Sequence, residues 1–224
     1  MNKKTTVYVV RHGESFFNSS GNLNLFDRDG EEGSPLNSDG KSQAKKFAEK
    51  LKGIEFAAIF SSNLARARET AQIIALERKL AVETSHLIRE RSVYNYLHKI
   101  NRLGGGSVDK LNEEIRKDLL KLDKKARMQY KHSPIMESVE EGALRLLTFI
   151  REAAAAYSGK KIMVVCHGNI MRCLLKFLGW AEFDEIPSGS IANLGYFVLE
   201  SDGTEFFVKE THGITKTKGV IRDF

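Results

Sequence analysis

Runs of consecutive apolar residues, each followed by a polar turn, predict the strands of this chain. The runs cover 7–10, 56–60 and 162–166, and a β-hairpin is predicted over 191–200 and 205–209. Consecutive rather than alternating apolar residues are typical of strands that are buried on both faces. A short additional strand is predicted over 81–84.

Between the strands, apolar residues recur every three or four positions, which predicts helices. Asn37 or Ser38 is expected to cap the first helix and Gly53 to end it, and Ser138 opens a capping box with Glu141. A polar, glycine-rich stretch over 18–39 predicts a long exposed loop. The first predicted helix runs from its cap at Asn37 or Ser38 to Gly53, with its apolar residues over 44–51, and the others cover 63–80, 108–130, 138–157 and 169–178.

The alternation of strands and helices predicts the α/β class, as a three-layer αβα sandwich with a largely parallel mixed sheet. The 224 residues, 42% hydrophobic and 29% charged, are ordinary for one globular domain, and we find no internal repeats. No apolar run approaches the roughly 20 residues that cross a bilayer. The amino terminus lacks a signal-peptide pattern, and two cysteines make no disulfide framework, so we expect a cytoplasmic protein.

A formal charge of +6 suits an anionic partner, such as a nucleic acid, a membrane surface or a phosphorylated molecule, but many basic proteins are merely soluble, so charge alone decides nothing. Much of the basic charge lies in 94–137, which we interpret as an insertion or cap on the sheet domain. Gly104, Gly105 and Gly106 in this region lack the Lys-Ser/Thr of a phosphate-binding loop.

A histidine followed by a glycine ends two of the predicted strands. Arg11-His12-Gly13 follows the first and His167-Gly168 follows 162–166, and the carboxyl ends of such strands form ligand sites. Arg66 lies in the first turn of a helix, where acidic residues are preferred, so it suggests a functional cation. Arginine donors match a phosphate, and glycines let backbone N–H groups approach a ligand.

These features favour an anion pocket that contains imidazoles over two alternatives. A metal held by the histidines is disfavoured because two arginines would repel a divalent cation, and no HExxH spacing occurs. A serine hydrolase would need a Gly-x-Ser-x-Gly elbow between strand and helix, and none is present. Phosphoryl chemistry with a histidine nucleophile fits best.

Several motifs in order resemble the histidine phosphatase superfamily, in its phosphoglycerate mutase-like branch. The chain has the family's opening signature with Asn18 behind it, and Asn37 replaces a usual Thr in the next motif. The matching segments are Arg11-His12-Gly13-Glu14-Ser15, Pro35-Leu36-Asn37-Ser38-Asp39-Gly40 with Gln43-Ala44, Ser61-Ser62-Asn63-Leu64-Ala65-Arg66-Ala67 with Glu69-Thr70-Ala71, Leu87 to Glu90, and Val165-Cys166-His167-Gly168-Asn169 with Arg172.

The resemblance implies a phosphoglycerate mutase-like fold with a helical insertion, and a phosphohistidine mechanism. His12 would be the nucleophile, and Glu90 would protonate the leaving oxygen and then activate water. Glu14 is the competing acid and is expected to be structural. No metal or organic cofactor is implied. Arg11, Arg66 and His167 would bind the phosphoryl group, and the substrate-binding candidates are Asn18, Gly168 and Asn169.

We favour a metal-independent phosphomonoesterase over a phosphoglycerate mutase, because 91–99 departs from the pattern of family mutases after the acid. His98, Lys99 and Arg102 could bind a second anionic group of the substrate. A non-catalytic phospho-ligand binding protein is disfavoured, since every expected reacting residue is present. The expected partner is a phosphorylated small molecule, with a phosphoprotein left open, and neither nucleic acid nor a membrane. The physiological substrate and oligomeric state do not follow from the sequence.

Overall fold

One six-stranded mixed sheet organises the chain, in the order β3–β2–β4–β1–β5–β6. The structure is a computed structural model that describes residues 3–16, 19, 33–91 and 108–217, without the side chains of 108–112. The four strands β3, β2, β4 and β1 are parallel, and the hairpin β5–β6 runs antiparallel to β1. The strands are β1 (Thr5–Arg11), β2 (Ala58–Ser62), β3 (Val82–Ser85), β4 (Lys161–Cys166), β5 (Ile191–Ser201) and β6 (Phe206–Ile214).

Helices cover both faces of this sheet. Successive residues of β1 point to opposite sides, so Val7 and Val9 pack with the apolar face of one helix layer and Tyr8 and Val10 with the other. Helices α5 and α6 form the first layer, and α1 and α2 form the second. The predicted αβα sandwich is confirmed. The helices are α1 (Ser38–Lys50), α2 (Ala65–Leu76), α3 (Val108–Leu120), α4 (Lys124–Gln129), α5 (Val139–Ala156) and α6 (Gly168–Phe177), with a 3-10 turn over His86–Ile88.

The helix boundaries depart from prediction where a side chain or a backbone torsion ends the helix. The helix predicted over 108–130 is two helices, because the Asp123 carboxylate accepts from Ala126 N–H at 2.8 Å and starts a new one. The helix predicted over 63–80 ends at Leu76, and Lys79 adopts the left-handed region at φ 54°. Asn37 does cap α1, but that helix ends at Lys50, before Gly53.

The loop predicted over 18–39 lies mostly outside the described residues, and its described end is exposed only in part. Ser34 and Leu36 are 3% and 1% exposed, because Leu36 forms a β-bridge with Ser15 and Asn37 caps α1. Leu36 therefore belongs to the core, whereas Pro35, Ser38 and Asp39 are exposed as predicted. The second strand begins two residues later than predicted and ends at Ser62.

The described part of the 94–137 region packs on the sheet domain. Ile115 and Leu119 of α3 are buried, and Met128 of α4 packs against a cluster that contains Val139 and Cys173. The three glycines, His98, Lys99 and Arg102 lie outside the described residues. The single domain with an insertion stays a prediction. Among the described residues, no helix is long and apolar enough to cross a membrane.

Candidate active site

The parallel register of β1 and β4 brings the two histidines together. Arg11 pairs with Cys166, so His12 and His167 are the next residue on each neighbouring strand. The backbone N–H of His12 donates to the Cys166 carbonyl at 3.0 Å. Both imidazoles are buried, and their ring centroids are 5.1 Å apart. The sheet thus brings both predicted histidines into one site at its carboxyl edge.

A closed circuit of hydrogen bonds holds His12. Its Nδ1 lies 2.6 Å from the Gly13 carbonyl, and the Gly13 N–H donates to Thr70 Oγ1 at 3.0 Å. The Thr70 hydroxyl donates to the Arg66 carbonyl at 2.7 Å, and Arg66 Nε donates back to His12 Nε2 at 3.1 Å. A carbonyl only accepts and a guanidinium only donates, so Nδ1 carries the proton and Nε2 presents a lone pair.

Close backbone packing between the turn after β1 and the start of α1 supports this hydrogen-bond circuit. A Cβ on Gly13 would lie 2.8 Å from the Gly40 carbonyl oxygen, and a Cβ on Gly40 would lie 1.9 Å from that of Glu14. The start of α1 therefore lies directly against the turn that follows β1. The Glu14 carboxylate accepts from the side-chain amides of Asn37 at 2.9 Å and Gln43 at 3.4 Å. The Glu14 side chain therefore links the turn after β1 to the start of α1.

Ser62, at the end of β2, orients His167. Its Oγ lies 2.8 Å from His167 Nε2 and accepts from the Leu64 N–H at 3.3 Å. Within the part of the chain that the structure describes, His167 Nε2 is the acceptor within reach of this buried hydroxyl, so the hydroxyl proton points to it. The imidazole proton then lies on Nδ1, which is buried and has no partner among the described residues. It is a donor suited to an anionic ligand.

Burial and nearby cations keep both imidazoles neutral. Burial lowers the pKa of His12 well below its usual range, Arg66 and Arg11 lower it further, and the hydrogen bond to the Gly13 carbonyl opposes them. Burial also lowers the pKa of His167, with Arg66, His12 and Arg11 adding to the effect. At neutral pH, His12 therefore has an unprotonated nitrogen, as a nucleophile requires.

Glu90 lies at the amino terminus of α6, the helix for which His167 is the N-cap residue. Its carboxylate oxygens accept from the backbone N–H groups of Ile170 at 2.8 Å and Asn169 at 3.2 Å. The Arg91 N–H adds a third bond at 2.9 Å. These donors and the positive end of the helix hold the carboxylate at the edge of the site. The helix itself has no side-chain N-cap bond from His167.

Arg11 crosses the start of α6. Its Nη1 donates to the Ile191 carbonyl, and a Cβ on Gly168 would lie 3.3 Å from Arg11 Cδ and Nε. A side chain at 168 would therefore require the Arg11 side chain to shift by a few tenths of an ångström. The structure thus gathers Arg11, Arg66, Gly168 and Asn169 around the two histidines and Glu90, whereas Asn18 lies outside the described residues.

Sequence reasoning missed the residues that hold the reacting groups. Ser62 and Thr70 stand in the motif around Arg66, which predicts no role for their side chains, and Arg145 lies outside the matching motifs. Apart from the motif spacing, no sequence signal marks them, because their partners lie 105, 57 and up to 59 positions away. Within the described ranges, no group of three His, Cys, Asp or Glu side chains is placed to hold a metal ion.

Comparison with known proteins identifies the family. The model of the histidine phosphatase superfamily (branch 1) matches residues 7–212. The chain belongs to the histidine phosphatase superfamily. The resemblance that the motifs indicated is confirmed.

Relatives of this histidine phosphatase superfamily member carry mutase names. Phosphoglycerate mutase-like protein 4 of Arabidopsis thaliana is 32% identical over 174 residues, which cover 75% of this chain and 68% of the relative. "Probable phosphoglycerate mutase GpmB" of Photorhabdus laumondii is 29% identical over 169 residues, or 75% of this chain and 72% of the relative.

Solved structures with both mutase and phosphatase names share the fold. A phosphoserine phosphatase variant from Entamoeba histolytica, in complex with phosphoserine, has a TM-score of 0.69 at 20% identity and covers 93% of this chain and 96% of its own. A phosphoglycerate mutase from Bacillus anthracis has a TM-score of 0.67 at 20% identity and covers 95% and 94%. At these identities the likeness establishes the phosphoglycerate mutase-like fold, as predicted.

The Ser62 hydroxyl offers a test of how His167 is held. We expect Ser62→Ala to lower kcat/KM for an aryl phosphate about five- to tenfold, because a buried hydrogen bond that fixes the imidazole is worth about 1 kcal/mol. The ¹⁵N shifts of the His167 ring should show that the Nδ1–H tautomer is no longer favoured.

Ser61→Ala is the matched control, because Ser61 is equally buried and its hydroxyl donates to the Ser62 carbonyl rather than to an imidazole. If both variants had equal activity and an unchanged His167 tautomer, Ser62 would not determine the tautomer and orientation of the His167 imidazole.

Proposed function

We propose that this protein is a metal-independent phosphomonoesterase that works through a phosphohistidine at His12. The observation that carries the proposal is the hydrogen-bond circuit around His12. It fixes the tautomer in which Nε2 has the lone pair, and it does so beside the buried Arg66 and the partly buried Arg11, two cations that attract a phosphoryl group. Membership of the superfamily supports the same chemistry.

In the first step the substrate phosphoryl group binds next to His12. The Arg66 guanidinium then gives up its hydrogen bond to His12 Nε2 and donates to the phosphoryl group instead. Arg66, Arg11 and the His167 Nδ1–H then donate to the phosphoryl oxygens and stabilise their charge in the transition state. His12 Nε2 forms a bond to phosphorus as the ester P–O bond breaks. Glu90, protonated for this step, gives its proton to the leaving oxygen.

In the second step water attacks the phosphorus of the phosphohistidine. The Glu90 carboxylate takes a proton from the water, the P–N bond breaks, and inorganic phosphate leaves. His12 returns to its neutral form with the lone pair on Nε2. The backbone N–H groups of Asn169, Ile170 and Arg91 hold the Glu90 carboxylate in place for this step.

The charge that stabilises the transferring group comes from arginines, so the proposal requires no metal or organic cofactor. The substrate is a phosphorylated small molecule or a phosphoprotein. We place the activity in the cytoplasm, because Cys166 and Cys173 are both buried free thiols.

A phosphoglycerate mutase is the second candidate, and the names of the relatives favour it. A mutase must keep its phosphoryl group and donate it to a second hydroxyl, whereas a phosphatase gives it to water. The departure of 91–99 from the mutase pattern favours the phosphatase. Most of that segment lies outside the described residues.

Phosphate release in excess chelator tests the proposal. We expect the protein to release inorganic phosphate from an aryl phosphate with EDTA present, at a rate that added Mg²⁺ or Zn²⁺ does not raise. A panel of phosphorylated metabolites and phosphopeptides would then rank substrates by kcat/KM.

Bisphosphoglycerate-dependent interconversion of the two monophosphoglycerates is measured in parallel. Interconversion faster than phosphate release from every ester would support the mutase. No activity in either assay would favour a binding protein.

A further inference from the structure

The segment that carries Glu90 has little backbone structure of its own. After β3 it forms a 3-10 turn over His86–Ile88, and Arg89 and Glu90 follow in extended or irregular conformation. Such a segment needs partners for its carbonyl groups from elsewhere in the fold.

Arg145 supplies those partners from helix α5. Its Nη1 donates to the carbonyl of Leu87 at 2.8 Å, of Arg89 at 3.1 Å and of His86 at 3.4 Å. Its Nη2 donates to the Glu90 carbonyl at 3.4 Å. One guanidinium therefore contacts nearly every carbonyl of the turn that leads to Glu90.

Glu137 orients the Arg145 guanidinium. Its two carboxylate oxygens accept from Arg145 Nε at 2.6 Å and from Nη2 at 2.8 Å. The pair is largely shielded from water, with the two side chains 19% and 24% exposed. A bidentate ion pair of this kind fixes the plane of the guanidinium as well as its position.

Glu137 also holds the residue on the other side of Glu90. Its backbone carbonyl accepts from Arg91 Nε at 2.9 Å, and Arg91 is 3% exposed. The backbone that leads to Glu90 and the side chain of the residue after it are thus tied to Arg145 of α5 and to Glu137, the residue before the cap of α5. The Glu90 side chain is tied separately, to the start of α6.

We propose that Arg145 is a positioning residue that, with Glu137, sets where the Glu90 carboxylate stands relative to the phosphoryl site. This rests on the proposed function, because it deepens the role given there to Glu90. Arg145 itself touches no reacting group. Loss of the guanidinium would let the turn move, and Glu90 would fall out of reach of the leaving oxygen.

Lysine cannot replace this arginine. The Arg145 contacts need several donors in one plane, some toward a carboxylate and others toward carbonyls on its far side, whereas an ammonium is a single point charge. The positioning role therefore predicts that Arg145→Lys, which keeps the charge, behaves much like Arg145→Gln.

The test compares kcat/KM for a nitrophenyl phosphate, whose leaving group needs no proton, with that for an alkyl phosphate, whose leaving group does. We expect Arg145→Gln to lower the alkyl value about ten- to hundredfold, the scale of a 1 Å misplacement, and the nitrophenyl value far less. Glu90→Gln is the positive control for this signature. Arg151→Gln is the matched negative control, because Arg151 lies on the same helix and packs over the Phe206 ring.

A loss of stability alone lowers kcat/KM equally for the two substrates. The ratio of the two kcat/KM values therefore separates an effect on the position of Glu90 from an effect on folding. Glu137→Gln, which leaves Arg145 in place, should shift the ratio in the same direction by less, and it serves if Arg145→Gln does not fold. An unchanged ratio in the folded Arg145 and Glu137 variants, while Glu90→Gln shifts it, would overturn this inference and leave the proposed function standing. No shift in Glu90→Gln would instead count against the proposed role of Glu90.

Discussion

His12→Ala should abolish phosphate release from an aryl phosphate, with a loss in kcat of at least about a thousandfold. The variant removes the Nε2 lone pair that Arg66 and the Gly13 carbonyl hold in place. Arg66, Arg11 and His167 remain, so the variant should still bind a phosphate ester. The expected signature is therefore a collapse of kcat with a much smaller change in substrate affinity.

The phosphohistidine itself can be trapped. Acid-labile, base-stable phosphate should attach to the wild-type protein during turnover of a radiolabelled substrate, and His12→Ala should take up none. His212→Ala is the matched control, because His212 is a solvent-exposed histidine on β6 that pairs with Glu210 and stacks on Tyr196. Retained activity in His12→Ala, or labelling at another residue, would contradict the assignment of the nucleophile.

Glu90→Gln should separate the two halves of the reaction. Glutamine keeps an oxygen that can accept from the α6 backbone, but it can neither give nor take a proton. We expect kcat/KM for alkyl phosphates to fall about 10²–10⁴-fold, the usual scale of general acid catalysis, and kcat/KM for a nitrophenyl phosphate to fall far less.

The second step needs the Glu90 carboxylate whatever the leaving group. Rapid mixing of Glu90→Gln with a nitrophenyl phosphate should therefore show a burst of nitrophenol equal to the enzyme present, followed by slow turnover. Glu14→Gln provides the comparison, because the Glu14 carboxylate accepts from Asn37 and Gln43. That variant should lose activity equally across leaving groups. If the loss of kcat/KM depended on the leaving group in Glu14→Gln but not in Glu90→Gln, Glu14 would be the proton donor and Glu90 the structural residue.

The strands and most helices could be predicted because their apolar patterns match the period of the element they form. Residues 7–10 and 162–166 are apolar at every position, and both prove to be central strands. The single helix predicted over 108–130 was wrong, because apolar spacing continues past the point where Asp123 caps a new helix. Periodicity reports which face of a helix is apolar, and it does not report where a side-chain cap begins a new helix.

By itself, the sequence indicated the candidate reacting groups, and the structure brings them together at one edge of the sheet. A histidine after each of two buried strands, and an arginine at a helix start, are local patterns, and parallel pairing then places them together. Only the tertiary structure decided how those groups are held. The Thr70 link to Gly13, the Ser62 contact with His167 and the Arg145 contacts with the Glu90 turn all join residues far apart in the chain. Such contacts depend on side-chain directions after the layers have packed, and no local pattern encodes them.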